Sequence, residues 1–113
     1  MVTEPRRDAD AVFRALADPH RRRLLDALYL ADGLTLSALC GHLDMTRQAA
    51  SQHVDLLVEA SLVTTRWRGR EKLHFLNPVP LQRIHERWIA KFERPRLKAL
   101  RDLQRRLEGT HHG

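Results

Sequence analysis

The segment from Leu34 to Val63 constrains the fold more than any other part of the chain. It reads as two short helices joined by a tight turn at Asp44-Met45, and the second helix carries many small polar side chains. In a helix-turn-helix, the second helix enters the major groove of DNA and presents such side chains to base edges. The segment therefore predicts a helix-turn-helix.

The first helix of this pair is expected to begin after Thr35 and the second after Thr46, because threonine is a residue type that caps helix N-termini. Ala50, Val54 and Leu57 recur at the spacing of one helical face, so we expect this face in the core. The opposite face is polar. We assign DNA contacts to Thr46, Arg47, Gln48, Ser51, Gln52 and His53. The hydroxyls of Thr46 and Ser51 suit phosphate oxygens.

The longer polar side chains of this helix suit the reading of bases. Arginine pairs with guanine and glutamine with adenine through two hydrogen bonds, which favours Arg47, Gln48 and Gln52 as base contacts. His53 lies at the edge of the polar face and is expected as a structural hydrogen-bonding group or a phosphate contact. A solvated polar face is the alternative, because any surface helix has one.

A basic hairpin is predicted directly after the helix pair. Leu62–Trp67 and Lys72–Leu76 are rich in β-branched and aromatic residues, and Gly69 permits a tight turn between them. Basic residues alternate across this hairpin, so several should share a face that follows the DNA backbone or enters a narrow minor groove. These residues are Arg66, Arg68, Arg70 and Lys72. Trp67 is expected to pack under the hairpin rather than to stack on a sugar.

Apolar residues at helical spacing predict two helices before the pair and one after the hairpin. The first covers about residues 9–16, and Asp18-Pro19 is a typical start for the second. The last runs from about Pro80 to Leu107, with a kink or break expected near Pro95. The order ααααββα predicts a mainly α fold with a small β-hairpin, a winged helix-turn-helix.

The last helix carries an apolar stripe longer than so small a core can cover, which indicates an interface. One reading helix reads one half-site, and two-fold dimers give such modules affinity and specificity. We therefore expect a homodimer that forms through the first and last helices. The residues assigned to this contact are Val12, Phe13, Leu16, Ile84, Trp88, Phe92, Leu100 and Leu103. The alternative is that the whole stripe packs within the chain.

Length and charge agree with a small DNA-binding protein. The 113 residues suggest one domain over residues 9–108, with flexible ends at 1–8 and 109–113. The net charge of +6 and the isoelectric point near 10.7 make double-stranded DNA the first candidate partner. An anionic membrane surface comes second, but no apolar run reaches the roughly 18 residues of a membrane span. With no secretory signal, we expect a cytoplasmic protein.

Catalytic and metal sites are not predicted. The sequence has no glycine-rich phosphate loop, nucleophile elbow or carboxylate pair, so we expect no enzyme and no cofactor. Cys40 and His42 are two residues apart, which on a helix turns them to different sides, and no second cluster completes a metal site. Cys40, the single cysteine, is expected to be buried and inert, with a redox switch as the alternative. A small-molecule effector stays unspecified.

Two parts of the sequence resemble the ArsR-type family of bacterial repressors. Phe13–Pro19 together with Arg22–Leu25 resembles the first two helices of that family. Ala49–Val54 and Glu59–Val63 resemble its reading helix and the exit from that helix, so the resemblance covers about residues 9–77. It implies a dimeric winged-helix repressor, paired through its first and last helices, that binds an imperfect inverted repeat.

Four departures from the family pattern are informative. Thr35 and Ser37 stand where members that sense arsenite or cadmium place a Cys-x-Cys. The last helix has His85 but lacks the Asp-x-His of zinc-binding members. Asp55 stands where many relatives carry a basic residue, and Ser61 replaces the usual glycine at the helix exit. The resemblance thus implies a repressor without metal control. A redox- or small-ligand-responsive regulator and a winged helix for protein partners are the alternatives.

Overall fold

A computed structural model describes the backbone of residues 5–111 and the side chains of residues 9–92 and 97–109. The elements are α1 (Pro5–Leu16), α2 (Pro19–Leu30), α3 (Leu36–Leu43), α4 (Arg47–Glu59), β1 (Val63–Arg68), β2 (Glu71–Leu76), α5 (Val79–Ile84), a π-helical segment (His85–Ala90) and α6 (Lys91–His111). This order confirms the predicted mainly α fold with one hairpin. The ends expected to be flexible overlap α1 at residues 5–8 and α6 at residues 109–111, and their other residues lie outside the described part.

Three of the helices begin at the capping residues that the sequence predicts. The carboxylate of Asp18 accepts from the backbone N–H of the second residue of α2, His20, at 2.7 Å. The Thr35 hydroxyl caps α3 by accepting from Ala38 N at 3.2 Å. Thr46 caps α4, the predicted reading helix. Each cap satisfies a backbone donor that the helix leaves without a partner, so local sequence fixes where these helices start.

The core of the helical part is built mainly from leucines of α2, α3 and α4. Leu24, Leu28, Leu39 and Leu57 are almost fully buried, and Leu62 joins them just after α4. The face of α4 predicted to point inward is confirmed, because Ala50, Val54 and Leu57 are all buried. The opposite face of the same helix is left to solvent, and this leaves the reading helix free to contact DNA.

The hairpin pairs β1 with β2 in antiparallel register from Val63 opposite Leu76 to Arg68 opposite Glu71. Two residues, Gly69 and Arg70, form the loop. Of these two, Gly69 alone has a positive φ, +62°, which is the pattern of a type II′ turn. Glycine takes this conformation without steric cost, so the sequence sets both the length and the register of the hairpin.

The base of the hairpin is hydrogen-bonded to the segment that precedes α3. His74 N donates to Leu34 O at 2.9 Å, and Gly33 N donates to His74 O at 2.9 Å. The ring Nδ1 of His74 also contacts Leu34 O at 2.9 Å, and since a carbonyl only accepts, this nitrogen carries the proton. Leu76 N also donates to the side-chain Oδ1 of Asp32 at 3.1 Å. These bonds hold the hairpin in place beside α3 and α4.

The described residues cluster into two compact units, one up to Leu81 and one from Gln82 onward. In the second unit the backbone passes through a π-helical segment before α6 begins at Lys91. Of the kink or break predicted near Pro95, the break is wrong, because α6 continues through that residue. The irregularity lies earlier, in the six π-helical residues His85–Ala90. No helix in the described part of the chain combines the length and apolar character needed to cross a bilayer.

Candidate nucleic-acid interface

The solvent face of α4 presents the side chains that the sequence assigns to DNA. Arg47, Gln48 and Gln52 are exposed, and Ser51 is half-buried. Arg47 and Ser51 are four residues apart, so they lie one above the other on the helix. Gln48 and Gln52 form a second row beside them. Their arrangement places two amides, one guanidinium and one hydroxyl on the exposed side of one helix.

The hydroxyl of Thr46 has a second function available besides capping α4. Its oxygen accepts from Ala49 N at 3.1 Å. A hydroxyl also has one proton to donate, and the Thr46 side chain is exposed. The residue can therefore cap the helix and donate to a phosphate oxygen at the same time.

An open groove of about 490 Å³ separates α4 from the hairpin. Arg47 and Ser51 line it from α4, Thr35 and Ser37 from the beginning of α3, and the hairpin supplies residues that include Trp67. Guanidinium and hydroxyl groups thus meet an indole ring across one groove. The two positions that the resemblance associates with thiolate ligands carry hydroxyls here, and they face this groove.

The basic residues of the hairpin do not all share one face. Directly paired residues of an antiparallel sheet point to the same side, and side chains alternate along each strand. Arg66 and Arg68 are therefore on one face, while Lys72 lies with Trp67, its cross-strand partner, on the other. The prediction that several of these cations share a face holds for the two arginines. Arg70 occupies the loop at the tip.

Contacts within the hairpin already engage part of its charge. Arg68 Nη2 lies 3.2 Å from Glu71 Oε2, and both side chains are exposed. An exposed ion pair contributes roughly 0–1 kcal/mol, so DNA can displace it at little cost. Arg66 lies over the Phe75 ring, with 5.8 Å between the guanidinium carbon and the ring centroid. Of the four hairpin cations, Arg68 alone has an ion pair with a carboxylate in the described residues.

The prediction that Trp67 packs under the hairpin is wrong. Its side chain is 69% exposed, although tryptophan is among the most apolar residues. The reason is its position near the tip, because the buried residues of the hairpin, Val63, Leu73 and His74, lie closer to its base. Beyond them the strands extend past the core. Trp67 thus belongs to the surface that faces α4 across the groove.

His53 is held by Arg21, a residue that the sequence analysis missed. Arg21 Nη1 lies 3.2 Å from His53 Nδ1, and Arg21 is only 9% exposed. The signal for Arg21 was its place on the buried stripe of α2, three residues before Leu24 and seven before Leu28. A charged residue on such a stripe needs partners inside the protein. The structural alternative for His53 is thus the one that the geometry supports.

The same corner holds a group of possible metal ligands, Asp18, His20 and His53, whose ligand atoms lie within 4.8 Å of one another. Arg21 Nη1, however, is 3.2 Å from His53 Nδ1 and 4.0 Å from Asp18 Oδ2. A permanent positive charge already stands against two of the three groups and repels a dication. The cluster is therefore a poor fit for a metal ion.

The groups around Asp18 favour the ionised form of its carboxyl. Partial burial raises its pKa, but the backbone N–H donors of His20 and Arg21 and the charge of the Arg21 guanidinium outweigh that effect. The pKa of Asp18 is therefore held below its ordinary value of 3.8. The charged form is the better cap for α2, because a carboxylate accepts more strongly from backbone donors.

The residues assigned to a dimer contact divide by exposure. Val12 is 2% exposed and belongs to the core, whereas Phe13 is 49% exposed. Leu16 and Ile84 are half-buried. The other exposed members are all in the second unit: Trp88, Phe92, Leu100 and Leu103. Cys40 also differs from expectation, since it is half-buried rather than buried.

Comparison with known proteins agrees with this architecture. A family model described as a helix-turn-helix domain matches residues 16–66. The HTH-type transcriptional regulator YuzN of Bacillus subtilis is 37% identical over 86 residues, which cover 71% of this chain and 94% of YuzN. The transcriptional repressor SdpR of the same organism is 31% identical over 71 residues, covering 63% of this chain and 78% of SdpR.

Solved structures give the same answer. An ArsR-like transcriptional regulator from Rhodococcus sp. RHA1 is 32% identical, with a TM-score of 0.66 over 85% of this chain and 92% of that one. A homodimeric winged helix-turn-helix DNA-binding domain from Mycobacterium bovis shares the fold at 23% identity, with a TM-score of 0.61 over 68% and 70% of the two chains.

A reading helix followed by a basic hairpin defines the winged helix-turn-helix class of transcriptional regulators. The chain belongs to the ArsR-type family within this class. It is thus a transcriptional regulator with a DNA-binding domain and not an enzyme, as its sequence predicts.

Proposed function

We propose that the protein is a cytoplasmic homodimeric repressor that binds an inverted-repeat operator. The observation that carries this proposal is the exposed polar face of α4 beside the basic hairpin. Arg47, Gln48 and Gln52 have the donor and acceptor groups that read guanine and adenine. The relative SdpR is a transcriptional repressor, which supports repression rather than activation.

The backbone of the operator is assigned to residues around this reading face. Thr46 and Ser51 donate hydroxyl protons to phosphate, and His53 supports the helix from within through Arg21 rather than by binding DNA. Arg68 and Arg70 hold the flanking backbone or minor groove, together with Arg66 and Lys72. A protein that neutralises several phosphates loses affinity steeply as salt rises. We therefore expect the affinity for DNA to fall steeply as the salt concentration rises.

Dimerisation is proposed through the apolar side chains exposed in the single chain. Phe92, Leu100 and Leu103 are each more than half exposed, which is unusual for residues of this size. On α1, Phe13 replaces Val12 as the contributing residue, because Val12 is buried in the core of its own chain. The Mycobacterium bovis domain of the same fold is homodimeric, which supports this assembly.

Control by something other than a metal is also proposed. The hydroxyls of Thr35 and Ser37 are poor ligands for the soft metal ions that thiolates bind. The corner formed by Asp18, His20 and His53 already contains the Arg21 guanidinium. Neither place favours a sensor metal, so the proposal contains none and names no inducer.

Selection of bound duplexes from a random DNA pool, at a low and a moderate salt concentration, tests this function. The expected result is an enriched inverted repeat whose half-sites are about one helical turn apart. Binding without any enriched sequence, which disappears as salt rises, would contradict the proposal and leave only a basic surface. Absence of duplex binding at low salt would favour a winged helix that binds protein partners.

A redox-responsive regulator is a second candidate because Cys40 is half-buried, so reagents can reach its thiol. The test compares DNA binding of the reduced protein, the oxidised protein and a Cys40→Ser variant. Loss of binding on oxidation that the variant does not show would support redox control. Equal binding in all three would exclude it.

A further inference from the structure

Trp67 is the one large aromatic side chain of the hairpin that is directed at the reading helix across the groove. It is 69% exposed and lines the groove opposite Arg47 and Ser51. An indole ring left in water forgoes the burial that normally stabilises it. Tryptophan exposed at a functional surface is a frequent hot spot of binding. The ring therefore has a surface to bury when something fills the groove.

The charges around the groove identify what fills it. Arg47, Arg70 and Lys72 line it, against the carboxylates of Asp55 and Glu71. Glu71 is already paired with Arg68 at 3.2 Å. The remaining positive charge, together with nearby hydroxyl donors, complements an anionic chain better than an apolar partner.

Lys72 and Trp67 form a composite surface at the rim of this groove. The Lys72 ammonium lies 5.9 Å from the centre of the Trp67 ring. The two residues are directly paired across the strands, so their side chains leave the sheet on the same side. One nucleotide of a DNA strand complements this surface, because its apolar sugar edge matches the indole ring and its adjoining phosphate matches the ammonium.

The strand β2, which carries Lys72, is hydrogen-bonded to the segment before α3. Two residues along β2 from Lys72, His74 is bonded through both backbone groups and its ring to Gly33 and Leu34. A strand anchored in this way has little backbone freedom to lose on binding, and that limits the entropic cost of the contact.

We infer that the groove between α4 and the hairpin receives one strand of the bound duplex, with Trp67 packed on a deoxyribose and Lys72 on the adjoining phosphate. The inference rests on the proposed function. In an intact duplex the bases stack on one another, so an aromatic ring that does not intercalate meets sugar edges. Sugar and phosphate contacts carry no sequence information directly. Trp67 is thus an affinity residue and not a base reader.

The first test measures affinity of Trp67→Ala for the duplex enriched by selection and for a scrambled duplex of equal length. About thirtyfold weaker binding to both is expected, the lower limit of a binding hot spot. Trp67→Phe keeps an aromatic ring and should lose less than about threefold. Tyr29→Ala is the matched control, because Tyr29 is 77% exposed but does not line the groove, and it should bind like the wild type.

The second test uses the fluorescence of the two tryptophans, Trp67 and Trp88. Duplex binding should quench the wild-type emission, and the quenching should be absent in Trp67→Phe, whose remaining indole is that of Trp88. The inference would be overturned if Trp67→Ala bound duplex as tightly as the wild type and duplex binding left the wild-type emission unchanged. If Arg47→Ala still bound more weakly in that case, the proposed function would remain intact. No binding of any duplex at low salt would overturn both.

Discussion

Arg21 Nη1 donates a hydrogen bond to His53 Nδ1 over 3.2 Å, which ties α2 directly to the reading helix α4. The same guanidinium donates through Nε to Ala15 O at 2.8 Å and through Nη2 to Arg14 O at 2.9 Å. One buried side chain therefore joins the end of α1, the beginning of α2 and the middle of α4. Because arginine cannot accept, His53 accepts at Nδ1 and its ring proton lies on Nε2.

Replacing Arg21 with alanine should lower the free energy of unfolding by about 2–4 kcal/mol, because the carbonyls of α1 and the ring of His53 lose a charged donor inside the protein. Urea denaturation followed by circular dichroism measures the change. Arg22→Ala is the control, since Arg22 is exposed and donates one bond, to Leu16 O at 2.6 Å. Its loss should be below about 1 kcal/mol. Equal losses of unfolding free energy in the two variants would show that the bonds of Arg21 to α1 and α4 do not stabilise the fold.

The cap on α2 should give stability a dependence on pH. The folded-state pKa of Asp18 is below the ordinary value of 3.8, so its contribution is present above that value and declines as the pH falls through the folded pKa. Asp18→Asn should therefore be less stable than the wild type near neutral pH, and the difference should shrink in acid. Urea midpoints of both proteins between about pH 6 and pH 3 measure it. A difference that stays constant would contradict the ionised cap.

Ser61 follows α4 with a φ of +61°, a conformation that glycine takes more easily than serine. Ser61 stands at the helix exit where the family usually has glycine, and a left-handed conformation is more costly for serine. Ser61→Gly should raise the free energy of unfolding by about 0.5–1 kcal/mol, the relief of strain less the extra entropy of the unfolded glycine. Glu59→Gly, in the last helical position of α4, should instead lower it by about as much. Destabilisation by both changes would refute the strain.

Base reading and backbone binding should separate in two arginine variants. Arg47→Ala should weaken binding to the selected duplex by about 1–3 kcal/mol. Its affinity for a scrambled duplex should stay close to that of the wild type. Arg70→Ala should weaken binding to both duplexes alike. It should also reduce the slope of the logarithm of the binding constant against the logarithm of the salt concentration by about one, the value for one lost phosphate contact. Titrations of both duplexes at several salt concentrations distinguish these patterns. Equal losses of Arg47→Ala on both duplexes would remove it as a base reader.

A charge on the apolar stripe of α6 should separate the proposed dimer. Leu103 is 53% exposed in the single chain, and Leu103→Glu would place a carboxylate within a buried contact. Sedimentation equilibrium should then give the mass of a monomer, 13.1 kDa, where the wild type gives twice that mass. Leu30→Glu is the control, because Leu30 is 83% exposed at the end of α2, outside the proposed contact. A monomeric wild type would end the proposal.

The parts of the fold that local sequence determines could be predicted. Asp18, Thr35 and Thr46 cap helices through bonds to residues only two or three positions away, so the sequence contains both partners. The buried face of α4 follows from helical spacing alone. The hairpin follows from the alternation of its residues around Gly69. All of these elements agree with the sequence within one or two residues at their ends.

What depends on distant residues could not be predicted. The partners of Arg21 include a histidine 32 positions away, and no local pattern announces such a bond. Whether Trp67 is covered depends on how far the strands extend past the core, a property of the assembled fold. Val12 and Phe13 are neighbours in sequence, and the exact rotation of α1 decides which one the core takes.

The π-helical segment from His85 to Ala90 makes the direction of the apolar stripe on α6 depend on the number of residues before it as well as on their identity. A π-helical turn contains one residue more than an α-helical turn, so this segment already takes up one extra residue, and a further inserted residue would turn α6 by about 100° relative to the helix before it. Every leucine of the stripe would remain, but the stripe would point in another direction. A single inserted codon there would thus keep the variant from pairing with its parent chain in the proposed dimer, without changing any residue assigned to DNA.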